Sequence, residues 1–319
     1  MITPDSLWPE RQRTECPVCH GREVALFCVA VDRVRLVPNE RWRVICCRAC
    51  GFGWTEPLLS GNELSDYYPS AYLGEIETRI GEFLSGKLQR SRSWRGEREK
   101  VRLVERYAAR GRVLDVGCGD GKFLWALSPD RYERAGIERS VETVDLVRRR
   151  IPDLDLLAGD IHSRSLEPRP YDVITFWHVF EHLPEPALVL QRVNGLLQPG
   201  GWLFISLPCI DSVQARLFRR FWYGFDDVPR HLHHFSKPSL NRLLMKAGFR
   251  IVDHLLFSPL VNFHSLKHSL LNWSDERFRS RMPYYLLKPL LPGLQAIERI
   301  TGRYGVRTVV ARKRKGIDD

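Results

Sequence analysis

The chain has 319 residues, which suffices for a large domain with a smaller companion. Its net charge of +11 suggests an anionic partner such as nucleic acid, an anionic lipid surface or a phosphorylated substrate, the alternative being a basic enzyme without one. Eight scattered cysteines exclude a disulfide scaffold, and no apolar run suits a membrane span or a signal peptide, so we expect a cytoplasmic protein.

Two Cys-x-x-Cys pairs lie near the N-terminus, in ECPVCHG and VICCRACGFG. Their spacing predicts one Zn²⁺ bound by four thiolates, a closed and therefore structural site. The predicted ligands are Cys16, Cys19, Cys47 and Cys50. Cys46 is an alternative to Cys47, His20 an alternative to one sulfur, and reduced cysteines without metal are the remaining alternative. Short β-type runs around the pairs predict a small zinc-ribbon-like β module over residues 1–60.

Residues 61–111 are predicted to form a Tyr-rich linker and a leading helix that ends near Gly111. From residue 112 onward, strand patterns alternate with helix patterns, as in RVLDVGCG, KFLWALS, RAGIERS and VETVDLVRRR. This alternation predicts an α/β fold with a mostly parallel sheet and helices on both faces.

A glycine-rich turn in RVLDVGCGDG joins the first of these strands to a helix. Gly117 and Gly119 allow the backbone to approach a ligand, and the helix N-terminus offers free N–H groups. Asp115 precedes the turn, where a carboxylate would repel a pyrophosphate but attract an ammonium group. Glu138 ends the next strand, suited to ribose hydroxyls, and Asp160 ends the third, facing an adenine amino group.

The segment 112–208 resembles the class I S-adenosylmethionine-dependent methyltransferases, through VLDVGCGDG, GIE, AGDI, YDVITFWHVFEHL and LLQPGGWLFISLP in that order. The resemblance implies a Rossmann-like seven-stranded sheet within residues 112–319 and a cofactor, S-adenosyl-L-methionine. It assigns the methionine part to Asp115, Gly117 and Gly119, the ribose to Glu138, and the adenine to Asp160 with Ile161. An NAD-binding Rossmann domain is disfavoured because the turn lacks the G-x-G-x-x-G spacing and begins with an acid.

Candidate residues for the acceptor side lie in three segments. Tyr72 or Tyr68 of the linker is placed to close over the methionine end, with aromatic packing between domains as the alternative. PRHLHHF supplies His231, His233 and His234, and FWHVFEHLPEP supplies His178 and His182. A histidine is suited to remove a hydroxyl proton, and the candidate bases are His178, His231 and His234, with capping or packing as the alternative.

Residues 255–300 form a predicted helical insertion rich in leucine, aromatic and basic residues. This composition suits peripheral contact with an anionic membrane face, but extra helices that cover the sheet or form a dimer interface are the preferred interpretation.

A zinc-bearing module joined to such a domain resembles the methyltransferases of modified sugars and cell-envelope polysaccharides. The implied acceptor is a sugar, for example a nucleotide-linked or lipid-linked one, or another small cell-envelope precursor, and nucleic acid is a less favoured partner. O-methylation is favoured because the chain lacks the long C-terminal domain of the sugar C-methyltransferases. The alternatives are a zinc-containing rRNA base methyltransferase and a non-catalytic cofactor-binding scaffold protein.

Overall fold

The computed structural model describes residues 12–34, 40–59, 63–64, 66–67, 72–86, 92–163, 166, 169–256 and 258–316. Strands are β1 (Val24–Ala30), β2 (Trp42–Cys47), β3 (Gly53–Glu56), β4 (Gly111–Val116), β5 (Tyr132–Glu138), β6 (Asp155–Ala158), β7 (Tyr171–Trp177), β8 (Leu197–Pro208), β9 (His233–His234), β10 (Phe249–Leu256) and β11 (Val306–Lys313). Helices are α1 (Tyr72–Leu84), α2 (Arg92–Tyr107), α3 (Lys122–Ala126), α4 (Val141–Arg150), α5 (Pro186–Leu196), α6 (Val213–Phe218), α7 (Lys237–Lys246), α8 (Pro259–Phe278), α9 (Met282–Leu287) and α10 (Leu291–Thr301).

The predicted seven-stranded Rossmann-like sheet is confirmed. Its order is β10-β11-β8-β7-β4-β5-β6, parallel from β8 to β6, with β10 and β11 antiparallel at one edge. Since β4 lies at the point where the chain order reverses direction, its C-terminal turn opens into the crevice that open α/β sheets use for ligands.

Alternating side chains of the central strands enter two apolar layers, as expected for strands buried on both faces. Leu114 and Val116 of β4 pack with α5 and α7, whereas Val113 packs with α1 to α4. Helix α1 lies within the segment whose pattern suggested only a linker. It buries Ile76 and Ile80 completely in the second layer, which explains why it is helical.

A second sheet with the order β1-β2-β3-β9 contains the N-terminal strands. Its fourth strand comes from the large domain: Gly53 pairs with His234 and Trp54 with His233. The N-terminal sheet is therefore completed by the histidine-rich segment. In the part of the chain that is described, no helix is long and apolar enough to cross a membrane.

Candidate active site

The turn after β4 has the backbone conformation that its glycines permit. Gly117 has φ 71° and Gly119 has φ 51°, both in the left-handed region that favours glycine. A Cβ on Gly117 would lie 2.6 Å from a methyl group of Val179, so the turn packs directly against the residues that follow β7. A Cβ on Gly119 would meet no atom within 4 Å, which leaves this side of the turn open to a ligand.

Glu138 holds the turn from the end of β5. Its carboxylate accepts hydrogen bonds from the backbone N–H groups of Gly119 at 3.0 Å and Arg139 at 2.8 Å. Asp160 follows β6, is exposed, and accepts a hydrogen bond from His162 N at 2.8 Å. Ile161 is buried in the core. Glu138 and the glycine turn are thus in contact, while Asp160 lies at the end of the neighbouring strand.

Asp115 is a buried acid beneath the turn, with 4% of its surface exposed. The hydroxyl of Thr175 in β7 donates to its Oδ1 at 2.6 Å. Burial raises the pKa of Asp115 to about 7, against the lowering effects of that hydrogen bond and of the Lys100 charge. A carboxylate in this environment lacks a full countercharge, so a cationic group entering the crevice would stabilise its ionised form.

The residues after β7 form the second half of the crevice, around the carboxylate of Glu181. This side chain is 1% exposed, and among the described residues neither of its oxygens has a donor at normal hydrogen-bond length. Three imidazoles surround it: His178 Nδ1 lies 3.6 Å and His231 Nε2 3.9 Å from Oε1, while the ring centroids of His182 and His231 are 4.7 Å apart. Burial would raise the pKa of Glu181, but the contact with His178 and the charges of His182 and His231 lower it.

Of the predicted bases, the structure brings His178 and His231 together and holds His234 apart. His234 is buried against Phe225, with Nε2 3.0 Å from the hydroxyl of Thr55. Because that hydroxyl donates to His231 O at 2.7 Å, the imidazole is the donor in this pair. Burial and the neighbouring histidines lower the pKa of His234 well below its usual value.

His233 also packs inside the protein. It lies beside Phe52, and its Nε2 is 3.0 Å from Pro184 O. Burial lowers the pKa of His233 to about 4. Tyr68 lies outside the described residues, and Tyr72 begins α1 with a side chain that is not described.

The four predicted cysteine ligands meet in one cluster near the N-terminus. Their sulfur atoms all lie within 4.8 Å of one another, with Cys16 Sγ 3.5 Å from Cys50 Sγ and Cys19 Sγ 3.6 Å from Cys47 Sγ. Tetrahedral zinc with Zn–S bonds of about 2.3 Å places its sulfurs about 3.8 Å apart, so the cluster has the right dimensions. The Cys46 thiol contacts the Cys47 carbonyl at 3.7 Å, outside this cluster.

The N-terminal module also supports the acceptor side through buried polar contacts. Arg230 is 2% exposed, and its guanidinium pairs with Asp32 at 3.3 Å. The hydroxyl of Thr55 donates to the carbonyl of His231. The backbone N–H of Leu232 donates to Glu181 O at 3.1 Å. The cysteine-bearing sheet is therefore connected through β9 and Thr55 to the residues around Glu181.

Comparison with known proteins identifies this architecture. The model of the methyltransferase domain family matches residues 87–254, more than half of the chain. The ubiquinone biosynthesis O-methyltransferase of Thiobacillus denitrificans is 32% identical over 172 residues, covering 49% of this chain and 72% of the relative. The enzyme of the same description from Coxiella burnetii is 27% identical over 166 residues, covering 49% and 69%.

Solved structures with this likeness include an S-adenosylmethionine-dependent methyltransferase from Mesorhizobium loti. Its TM-score is 0.46 at 19% identity, over 68% of this chain and 98% of that one.

Proposed function

Because this chain belongs to the methyltransferase domain family and is an S-adenosylmethionine-dependent methyltransferase, we propose that it methylates a hydroxyl oxygen of a small acceptor. The observation that carries the proposal is the cluster of histidines around Glu181. This cluster lies beside the glycine turn proposed to bind the cofactor, because Val179, next to His178, packs against Gly117. An oxygen nucleophile requires a proton acceptor, and this cluster supplies candidates at that place. The names of the relatives, O-methyltransferases, support the same chemistry.

The cofactor residues fit the groups that they are proposed to hold. Bound S-adenosylmethionine supplies an electrophilic methyl group on a sulfonium sulfur. Asp115 would pair with its ammonium group, the turn at Gly117 and Gly119 would pass beneath its methionine part, and Glu138 would accept from its ribose hydroxyls. Asp160 and the backbone at Ile161 would bind the adenine. In each case a polar group or an open backbone lies at the end of a parallel strand, where such ligands bind.

The experiment that tests this function is a screen with cofactor carrying a labelled methyl group. Acceptors should include phenolic hydroxyls, nucleotide-linked sugars and lipid-linked sugars, because the sequence suggests a sugar and the relatives are named for ubiquinone biosynthesis. Label in an O-methyl ether supports the proposal. Label on nitrogen or carbon, or in ribosomal RNA and in no small molecule, would exclude it.

His178 is proposed as the base that takes the acceptor proton. Its Nδ1 lies 3.6 Å from Glu181 Oε1, and the side chain is 36% exposed. The negative charge of the carboxylate favours the tautomer with the proton on Nδ1, which leaves Nε2 for the acceptor. We expect His178→Gln to lower turnover by about 10²-fold. Cofactor affinity, measured by calorimetry, should stay within about twofold because the turn is untouched.

The control for this prediction is His254→Gln, which changes a histidine of the edge strand β10. Full turnover in the control with loss in His178→Gln supports the assignment. Undiminished turnover in His178→Gln would show that the enzyme needs no base at this position.

The four-cysteine cluster is proposed to bind one structural zinc ion. The sulfur separations fit tetrahedral zinc, and the hydrogen bond with Cys50 lowers the pKa of Cys16 to about 5. This lowering favours the thiolate, which is the form that binds metal. The adjacent Cys46 and His20 lie outside the cluster.

The helices α8 to α10 are proposed to contact an anionic membrane face. Seven large apolar side chains between Phe278 and Ile300 are 47–85% exposed, which is a concentration of exposed apolar residues in one stretch of the chain. These are Phe278, Met282, Tyr285, Leu286, Leu290, Ile297 and Ile300. Exposed basic residues alternate with them in the chain, among them Arg281, Lys288 and Arg299. This pairing of apolar and basic side chains complements acyl chains and anionic headgroups.

A double replacement tests this surface. Leu286→Glu with Ile300→Glu should reduce cosedimentation with phosphatidylglycerol-containing vesicles at least about tenfold, since each burial contributes about 1.5–3 kcal/mol. Leu188→Glu on α5, where the parent side chain is 44% exposed, is the matched control. A parent protein that does not sediment with these vesicles, or sediments equally with neutral ones, would contradict the proposal.

A further inference from the structure

We infer that Glu181, His182 and His231 form a binding site for a divalent transition-metal ion, with Asp227 as a further ligand. One ligand atom from each of Glu181, His182 and His231 lies within 4.8 Å of the other two. Two ligand atoms bound at about 2.0–2.2 Å to one ion are at most slightly over 4 Å apart. Small rotations of the side chains would therefore bring these ligand atoms to bonding distance. This site is separate from the cysteine cluster.

The backbone fixes which imidazole nitrogens face the centre. His182 Nδ1–H donates to Arg230 O at 2.9 Å, and His231 Nδ1–H donates to Gly224 O at 2.8 Å. Metal-binding histidines typically donate their other ring N–H in this way, which fixes the tautomer and the ring orientation. In the neutral form each Nε2 therefore presents a lone pair to the same centre.

Two carboxylates face these lone pairs. Asp227 Oδ2 lies 4.0 Å from His182 Nε2 and 3.7 Å from His231 Nε2, and its other oxygen accepts from Arg230 Nε at 2.6 Å. Glu181 contributes buried oxygens that have no donor at normal hydrogen-bond length among the described residues, with His178 Nδ1 at 3.6 Å from Oε1. When the imidazoles are neutral, these acceptor atoms repel one another, and a metal cation between them would replace the repulsion with attraction.

The donor set indicates the kind of ion. Two imidazoles with carboxylates suit Mn²⁺, Fe²⁺, Co²⁺ or Zn²⁺, whereas Mg²⁺ and Ca²⁺ prefer oxygen alone. The side chains of His182 and Asp227 are 19% and 25% exposed, so an ion and an oxygen ligand can reach the centre from solvent. If the proposed function holds, this oxygen ligand is the hydroxyl of the methyl acceptor, and the ion would increase its acidity. His178 remains outside the ligand set as the proton acceptor.

Binding of Mn²⁺ tests the site without any methyl acceptor. Full-length protein is dialysed against a chelator until one zinc per chain remains, and free Mn²⁺ is then followed by electron paramagnetic resonance. The parent should bind one Mn²⁺ per chain. Glu181→Gln and His231→Gln should each weaken binding at least about tenfold, and His254→Gln should not.

Folding is checked by cofactor affinity and circular dichroism. If either buried replacement fails to fold, Asp227→Asn at the partly exposed position should still weaken Mn²⁺ binding. The inference is overturned if the parent takes up no Mn²⁺, or if uptake survives the replacements that fold. Mn²⁺ binding without methylation of any acceptor would leave the metal site standing and remove the proposed function. O-methylation that persists in metal-depleted protein, with no Mn²⁺ uptake, would support the proposed function and overturn the metal site.

Discussion

Cys16→Ser should yield a protein with one zinc ion fewer per chain than the parent and with an N-terminal module that does not stay folded. Structural zinc contributes about 10–16 kcal/mol in small metal-dependent modules, which is comparable to the whole stability of a typical domain, about 5–15 kcal/mol. Elemental analysis counts the zinc. Limited proteolysis should cut the variant within residues 12–59 and leave the parent intact.

The effect should extend to catalysis, because β9 pairs with β3 and Thr55 binds the carbonyl of His231. Turnover should therefore fall with the loss of zinc even though no cysteine of the cluster lies beside Glu181.

Cys46→Ser is the matched control, since this residue adjoins Cys47 but lies outside the cluster. It should retain zinc, protease resistance and turnover. A Cys16→Ser protein that keeps its zinc, or a Cys46→Ser protein that loses it, would contradict the proposed ligand set.

The sequence was most informative where one residue type is required locally. Gly117 must be glycine because its φ is positive and Val179 leaves no room for a side chain. The Cys-x-x-Cys pairs are similarly strict, because two thiolates on one turn must reach one ion. Such local requirements identified the strand-turn-helix unit, the order of the acidic strand ends and the four cysteines without knowledge of the fold.

What depends on contacts between distant segments could not be predicted in the same way. Strand β9 consists of only His233 and His234, which is too short for a strand pattern to be recognised in the sequence. It forms because these residues pair with β3. The same packing buries His234 and brings His231 to Glu181, so three neighbouring histidines have three different environments. Glu181 and Asp227 were visible in FEHL and GFDDVPRH, but only the fold shows that they share a centre.

Helix α2 supplies residues near the cofactor side that the sequence did not identify. Glu97 and Lys100 are paired at 3.1 Å, and the Lys100 charge acts on Asp115. Their three-residue separation is that of an ordinary helix-surface pair, so the pattern gave no sign that it faces the crevice.

The affinity for S-adenosylmethionine should depend strongly on pH below 7 because of Asp115. Burial raises the pKa of Asp115 to about 7, so the acid becomes neutral in the free protein as the pH falls through this value. The cofactor ammonium favours the ionised form and lowers the pKa in the complex. Binding is therefore linked to release of a proton below pH 7. Because half of the acid is already neutral at pH 7, the association constant should fall by up to about 50-fold from pH 7 to pH 5, with a slope that approaches tenfold per unit.

Calorimetric titrations from pH 5 to 7.5 measure this dependence in the parent and in two variants. Asp115→Asn keeps an oxygen that can accept the Thr175 hydrogen bond, so the fold should persist, but the pH dependence should disappear. At pH 7.5 its affinity should be lower by about 1.5–3 kcal/mol, the contribution of a hydrogen bond to a charged group. Glu138→Gln alters the ribose contact and the hydrogen bonds from Gly119 and Arg139 but leaves Asp115 in place, so it should bind more weakly at every pH while keeping the slope. A parent with equal affinity at pH 5 and pH 7, or a slope that persists in Asp115→Asn, would show that the ammonium group binds elsewhere.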